Sequence, residues 1–203
     1  MSRLPMIPRS ELSELEPLFS RVEQQGGTVP NAWLMMAHVP DIVRAFSNLA
    51  YAVLRVDRKV PTVLKWMVAH VASRAAGCNY CMLHAVANAD GLPVAVDQKE
   101  KIDAVWEFES SPLFSEAERA ALRVAMGAAM VPNAVEDADF EALKTFYSSE
   151  EIVEIVSVIS LFGFLNRWND TLQSELEDKP LSYAAKHHLS ERGWSLGAHG
   201  KSA

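Results

Sequence analysis

Ser73-Arg74-Ala75-Ala76-Gly77-Cys78-Asn79-Tyr80-Cys81-Met82-Leu83-His84 holds a helix end, a break and a new helix start. Gly77 interrupts the helical pattern, and Cys78 follows it at once. Cys78 and Cys81 are the 2 cysteines of the chain. Residues i and i+3 share one face of a helix, so both sulfurs and the His84 imidazole fall on one stripe. Such a stripe can cycle between dithiol and disulfide while the imidazole moves protons. Two activation arguments stay open here. A helix start at Cys78 puts that thiol at the positive end of the dipole, whereas His84 favours its neighbour Cys81. The plain alternative is that the cysteines are small buried apolar residues. A zinc site needs four ligands, and the chain has no second cysteine pair. No metal or organic cofactor is called for.

Outward from this stretch the pattern is helical, with no sustained period-two alternation and no Asn-Gly or Asp-Gly hairpin. Helices are expected over 11–25, 31–38, 42–55, 63–76, 80–89, 96–108, 120–130, 137–147 and 150–176. Ser115-Glu116-Ala117-Glu118 has capping-box form. Ser148 and Ser149 cap the last long helix. Pro180 opens a polar tail, 180–203, expected to be poorly ordered, with His187 and His188 on its surface. The fold class is all-α, one domain over 1–203 with a core at about 28–176 and helical extensions at both ends.

The 203 residues suffice for a proper core. A net charge of −7 with no basic cluster excludes a nucleic-acid partner. The N-terminus lacks an apolar signal segment. The most apolar run, 152–165, is broken by Glu154 and too short for a membrane span. A cytoplasmic protein is expected, and there a close cysteine pair is catalytic or metal-binding more often than structural. The 49% hydrophobic content fits either a buried subunit interface or a generous core.

The segment from Lys65 to His84 resembles the core of the carboxymuconolactone decarboxylase/AhpD-like superfamily. Its typical run is an Arg-Glu start, a small-residue-rich helix, then Gly-Cys-x-Tyr-Cys and a histidine. Val29-Pro30-Asn31-Ala32 and Ala37-His38-Val39-Pro40 are similar to its lead-in. Ser115 to Leu122, Ser149 to Glu154 and Phe164 to Asp170 resemble its later helices, so the likeness covers roughly 28–176. It implies an all-α homo-oligomer, a trimer or a hexamer of trimers. In the family's AhpD-like peroxidases the second cysteine attacks a peroxide and the first resolves it as a disulfide, with a histidine and an upstream glutamate relaying protons. By position, Cys81 is then the attacking thiol and Cys78 the resolving one. The lactone decarboxylases of the family lack the pair.

Two departures stand out. The relay glutamate is expected at position 66, which is Trp66, with Lys65 in place of the arginine. The relay histidine is expected at position 85, which is Ala85, and the histidine sits one residue earlier at His84. His70 is the substitute relay to look for, or an ordinary helix histidine. Tyr80 donates to substrate or thiolate, or simply packs. Asn166, Arg167, Asn169 and Asp170 border the pocket or pair on the surface. The expected function is thiol-dependent peroxide reduction by Cys78, Cys81 and His84. A small-molecule peroxide is the substrate, and a dithiol reductant or a thioredoxin- or lipoyl-like adaptor the partner. The alternatives are a decarboxylase acting on a small carboxylated compound, and a non-enzymatic redox-sensing oligomer.

Overall fold

The computed structural model describes residues 2–26, 28–56, 58–94 and 96–200. Every regular element among them is helical. After two 3-10 turns (Arg9–Glu11 and Ser13–Leu15) come α1 (Glu16–Gly26), α2 (Asn31–Met36), α3 (Pro40–Leu54), α4 (Thr62–Ala76) and α5 (Asn79–Asp90). There follow α6 (Val96–Ala104), α7 (Glu116–Ala129), α8 (Asp137–Phe146), α9 (Ser149–Leu172) and α10 (Asp178–Lys186). No helix among the described residues is long and apolar enough to cross a membrane.

α4 is the hub, packing against α5, α7 and α9. Residues 63–73 are all buried, on every side of the helix, which is how a central helix differs from an amphipathic one. Being central, it buries Lys65, whose Nζ meets Glu154 Oε2 of α9 at 2.8 Å. Removing either partner would leave an uncompensated buried charge. α4 ends at Gly77, with φ +80° and its N–H bonded to the Arg74 carbonyl. A left-handed residue costs glycine little, so the chain reverses here and starts α5 on Cys78. α7 and α9 open on the capping boxes Ser115/Glu118 and Ser148/Glu151.

Several boundaries differ from the sequence reading, and α7 starts at Glu116, directly after its Ser115 cap, rather than at Ala120. The first helix starts at Glu16 rather than Glu11, because a helix running through Pro17 would need an N–H that proline lacks. The expected 96–108 helix ends at Ala104 and continues as a 3-10 turn, Val105–Glu107. α9 stops at Leu172, because Gln173 turns left-handed at φ 53°. The last segment differs more. Pro180 sits in the first turn of α10, where its missing N–H is harmless, and Leu189, Trp194 and His199 are buried. Trp194 Nε1 donates to the Asn79 carbonyl at 3.0 Å, and the Leu176 N–H donates to the His199 carbonyl at 3.0 Å. Residues 178–200 thus fold back over the start of α5.

Candidate active site

Cys78 is the N-cap of α5, and its Sγ accepts from the Cys81 N–H at 3.4 Å. Both cysteines are free and buried. Cys81 lines a cavity of about 150 Å³ with Tyr80, His84, Trp66 and Asn169, whereas Cys78 lies behind it. Asn169 Nδ2 donates to Cys81 Sγ at 3.3 Å. The Cys78 thiol is pushed far above its ordinary range by its side-chain hydrogen bond with Cys81, by burial, and by the charges of Cys81 and Asp170. Cys78 therefore keeps its proton.

His84 stands one turn along α5 from Cys81. Its Nε2 lies 2.7 Å from Glu177 Oε2. Glu177 Oε1 accepts from the Tyr80 hydroxyl at 2.8 Å and from the Asn31 N–H. A carboxylate only accepts, so Nε2 of His84 carries a hydrogen and Nδ1 is the basic nitrogen. Burial alone would raise Glu177; the His84 ring and the hydrogen bonds from His84, Asn31 and Tyr80 outweigh it and hold the carboxyl below its usual range. Tyr80, pushed well up by burial and by Glu177, stays a donor, and its ring stacks on His84 at 4.4 Å. The missing α4 carboxylate is thus answered by Glu177, the N-cap of α10. Sequence reasoning missed it: no local signal links a residue to a histidine 93 positions away.

Aromatic rings form part of the remaining wall, beside aliphatic residues and the cations Arg21, Arg55 and Lys179. Trp33, Phe46, Tyr51, Trp66 and Phe162 line it, with Trp66 edge-on to Phe162 at 6.2 Å. Arg55 lies over the Trp66 face at 5.1 Å and donates to Asn88 at 3.2 Å. The position expected to move protons is therefore an apolar wall. His70 lies apart from this cavity. Its Nδ1 donates to the Met82 carbonyl at 3.1 Å and its ring packs edge-on to Trp106, a core histidine that ties α4 to α5. Burial lowers it to about 4, so it is neutral near pH 7. Of the polar group at the end of α9, Asn169 reaches Cys81, and Asp170 faces His199, with Oδ1 at 3.3 Å from Nε2. Arg167 turns back to the Gly163 carbonyl. His188 is exposed, while His187 pairs with Asp103 at 3.0 Å and stacks on Tyr183.

The model of the carboxymuconolactone decarboxylase family matches residues 40–126, which include α4, Gly77 and both cysteines. An alkylhydroperoxidase AhpD-core structure, an uncharacterized peroxidase-related protein from Ralstonia eutropha JMP134, is 26% identical. It covers 88% of this chain and 94% of its own, with a TM-score of 0.74. The chain belongs to the carboxymuconolactone decarboxylase/AhpD-like superfamily. It is also similar to the debrominase Bmp8. A cysteine-to-alanine variant of Bmp8 in complex with 2,3,4-tribromopyrrole is 35% identical over 92% of this chain and 98% of that one, at a TM-score of 0.85. The Escherichia coli K12 protein YnjA is 25% identical over 159 residues, 70% of this chain and 84% of its own. The AhpD-like all-α fold expected from the Lys65-to-His84 segment and its flanking helices is the fold observed.

Proposed function

We propose that this member of the superfamily is a dithiol reductase of small aromatic electrophiles, with a carbon–halogen bond as the group it reduces. The observation that carries the reading is Cys81 on the wall of a ring-lined cavity of about 150 Å³, a size that holds one benzene-sized ring. The likeness to a debrominase supports it. His84 Nδ1 takes the Cys81 proton. The thiolate accepts the halogen as a positive equivalent, while the ring carbon keeps the bond pair and gains a proton. Cys78 then displaces halide from sulfur, and a Cys78–Cys81 disulfide forms. Two thiols and one carbon–halogen bond thus give a disulfide, a carbon–hydrogen bond and hydrogen halide. A dithiol, or a thioredoxin- or lipoyl-like partner, reopens the disulfide.

Peroxide reduction is the second reading, favoured by the Glu177–His84 pair beside Cys81 and by the likeness to a peroxidase-related protein. There Cys81 attacks oxygen, alkoxide or hydroxide leaves, and Cys78 closes the disulfide with loss of water. One assay separates the two. Reduced protein with excess dithiol is given 2,3,4-tribromopyrrole, bromophenols or an alkyl hydroperoxide, and bromide release and peroxide loss are followed. Cys81-dependent bromide release is the expected result. Peroxide loss without bromide would select the second reading, and neither, with Cys81 reduced and folded, overturns both.

A further inference from the structure

The second thiol has surroundings of its own, built by the segment that the sequence reads as a loose tail. Cys78 Sγ, a ring nitrogen of His199 and a carboxylate oxygen of Asp170 all lie within 4.8 Å of one another. Cys78 and His199 are buried at 0% and 4% exposure. His199 Nδ1 sits 2.8 Å from the Ser174 carbonyl. A carbonyl only accepts, so Nδ1 carries the hydrogen, and in the neutral ring Nε2 is a lone pair. That lone pair faces Asp170 Oδ1 at 3.3 Å. Two acceptors at this range form no hydrogen bond until a proton is placed between them. The Leu176 N–H fixes the His199 carbonyl, and Trp194 fixes the approach of the segment over Asn79.

We propose that His199 and Asp170 form a second proton-accepting pair, dedicated to Cys78 as His84 and Glu177 are to Cys81. The pair drives disulfide closure rather than the first attack. This rests on the reading of Cys78 as the resolving thiol. In the closing step the Cys78 proton passes to His199 Nε2 and bridges to Asp170. The Cys78 thiolate then attacks Cys81 sulfur, an S–S bond forms, and the group on Cys81 leaves with the bond pair. Asp170, 42% exposed at its side chain, passes the proton to solvent. The need for such a pair follows from the environment of Cys78, whose thiol is held protonated by Cys81, burial and Asp170. The titratable groups facing Cys78 and His199 are Cys81 from α5, Asp170 from α9 and Tyr80, whose ring is 5.6 Å from His199.

A probe independent of the physiological substrate tests this. Methyl methanethiosulfonate converts the Cys81 thiolate to a methyl disulfide with loss of methanesulfinate. Cys78 then expels methanethiolate to close the protein disulfide. Rapid-quench intact mass separates the mixed disulfide from the closed one, so both steps are timed in wild type, His199→Gln and Asp170→Asn. The first step should be unchanged in both variants, which also reports that the site is folded. Closure should slow by roughly 10²-fold in His199→Gln, less in Asp170→Asn. In His199→Gln it should recover about tenfold per pH unit as hydroxide replaces the lost base. Closure within about twofold of wild type in His199→Gln, or equal slowing of both steps with no change in pH slope, overturns the proposal. Wild-type protein that closes normally but reduces neither bromide nor peroxide substrates would sink the proposed function and leave this pair standing.

Discussion

Glu177→Gln removes one charge and almost no volume from the centre of the site. Oε1 of Glu177 serves Tyr80 and the Asn31 amide, and Oε2 serves His84. The glutamine oxygen keeps the first two partners, so its NH2 group must face His84. Two donors cannot share a bond, so the ring moves its hydrogen to Nδ1 and offers Nε2 as acceptor. A charge-assisted bond contributes roughly 1.5–3 kcal/mol and its neutral replacement roughly 0.5–1.5. The stability cost is therefore about 1–2 kcal/mol, a fall in Tm of roughly 2–8 °C for a chain of this size. The chemical cost is larger, because Nδ1 no longer accepts the Cys81 proton, and a lost general base slows proton transfer by roughly 10²–10⁴-fold. The sign with pH is also fixed. A carboxyl lowered on folding contributes stability that is present above its unfolded value and lost as pH falls through the folded one. The variant should flatten that acid limb. The assay is stopped-flow modification of Cys81 by methyl methanethiosulfonate, with thermal melts across pH. Wild-type modification rates in a folded Glu177→Gln protein would refute the assignment of Nδ1 as the base.

The remaining predictions concern the scaffold. His70 is lowered to about 4 by burial, so its unfolded form binds a proton first; stability should fall by about 3 kcal/mol between about pH 6.5 and 4. Chemical denaturation of wild type and His70→Asn checks this, and equal losses in both would remove His70 as the cause. Lys65→Met strands the buried Glu154 carboxylate and should cost about 3–5 kcal/mol, whereas Lys65→Met with Glu154→Leu should recover most of it; additive losses in urea unfolding would contradict the pairing. Gly197→Ala meets φ +54° and a Cβ position 3.2 Å from Asn79 Nδ2. It should destabilise the docked tail by about 1–2 kcal/mol, read as faster amide exchange in residues 189–199.

How much of this was legible depends on the distance over which each feature is decided. Gly77, the Ser115 and Ser148 capping boxes, the α4 end and the α8 boundaries rest on neighbours within a turn, and the sequence shows them. Trp66 was visible as a departure, but its meaning was not. A tryptophan in place of a carboxylate reads as a loss until Phe162 and Arg55 close a cavity around it. Glu177 and His199 lie outside the stretch that resembles the family, in a segment whose Pro180, glycines and histidines suggest a tail. What orders that segment is burial of Leu189 and Trp194 on surface offered by the earlier helices, and hydrophobic patterning within so short a stretch does not announce it. Pro17 could have been read correctly, since the constraint it imposes is local.

The left-handed Gly77 break has a consequence for how the molecule fails on heating. It ends α4 one residue before the thiols, so the reactive pair belongs to α5 and to what docks on it, rather than to the hub. The docked segment, residues 177–200, lies at the edge of the bundle and is joined to it through hydrogen bonds and through buried Pro180, Tyr183, Ala184, Leu189, Trp194 and His199, and peripheral units of this kind open at lower free energy than the core around them. Heat should therefore silence the protein before it melts. Thiol chemistry disappears first, while α4, α7 and α9 keep their helicity, and cooling restores it without any refolding of the bundle.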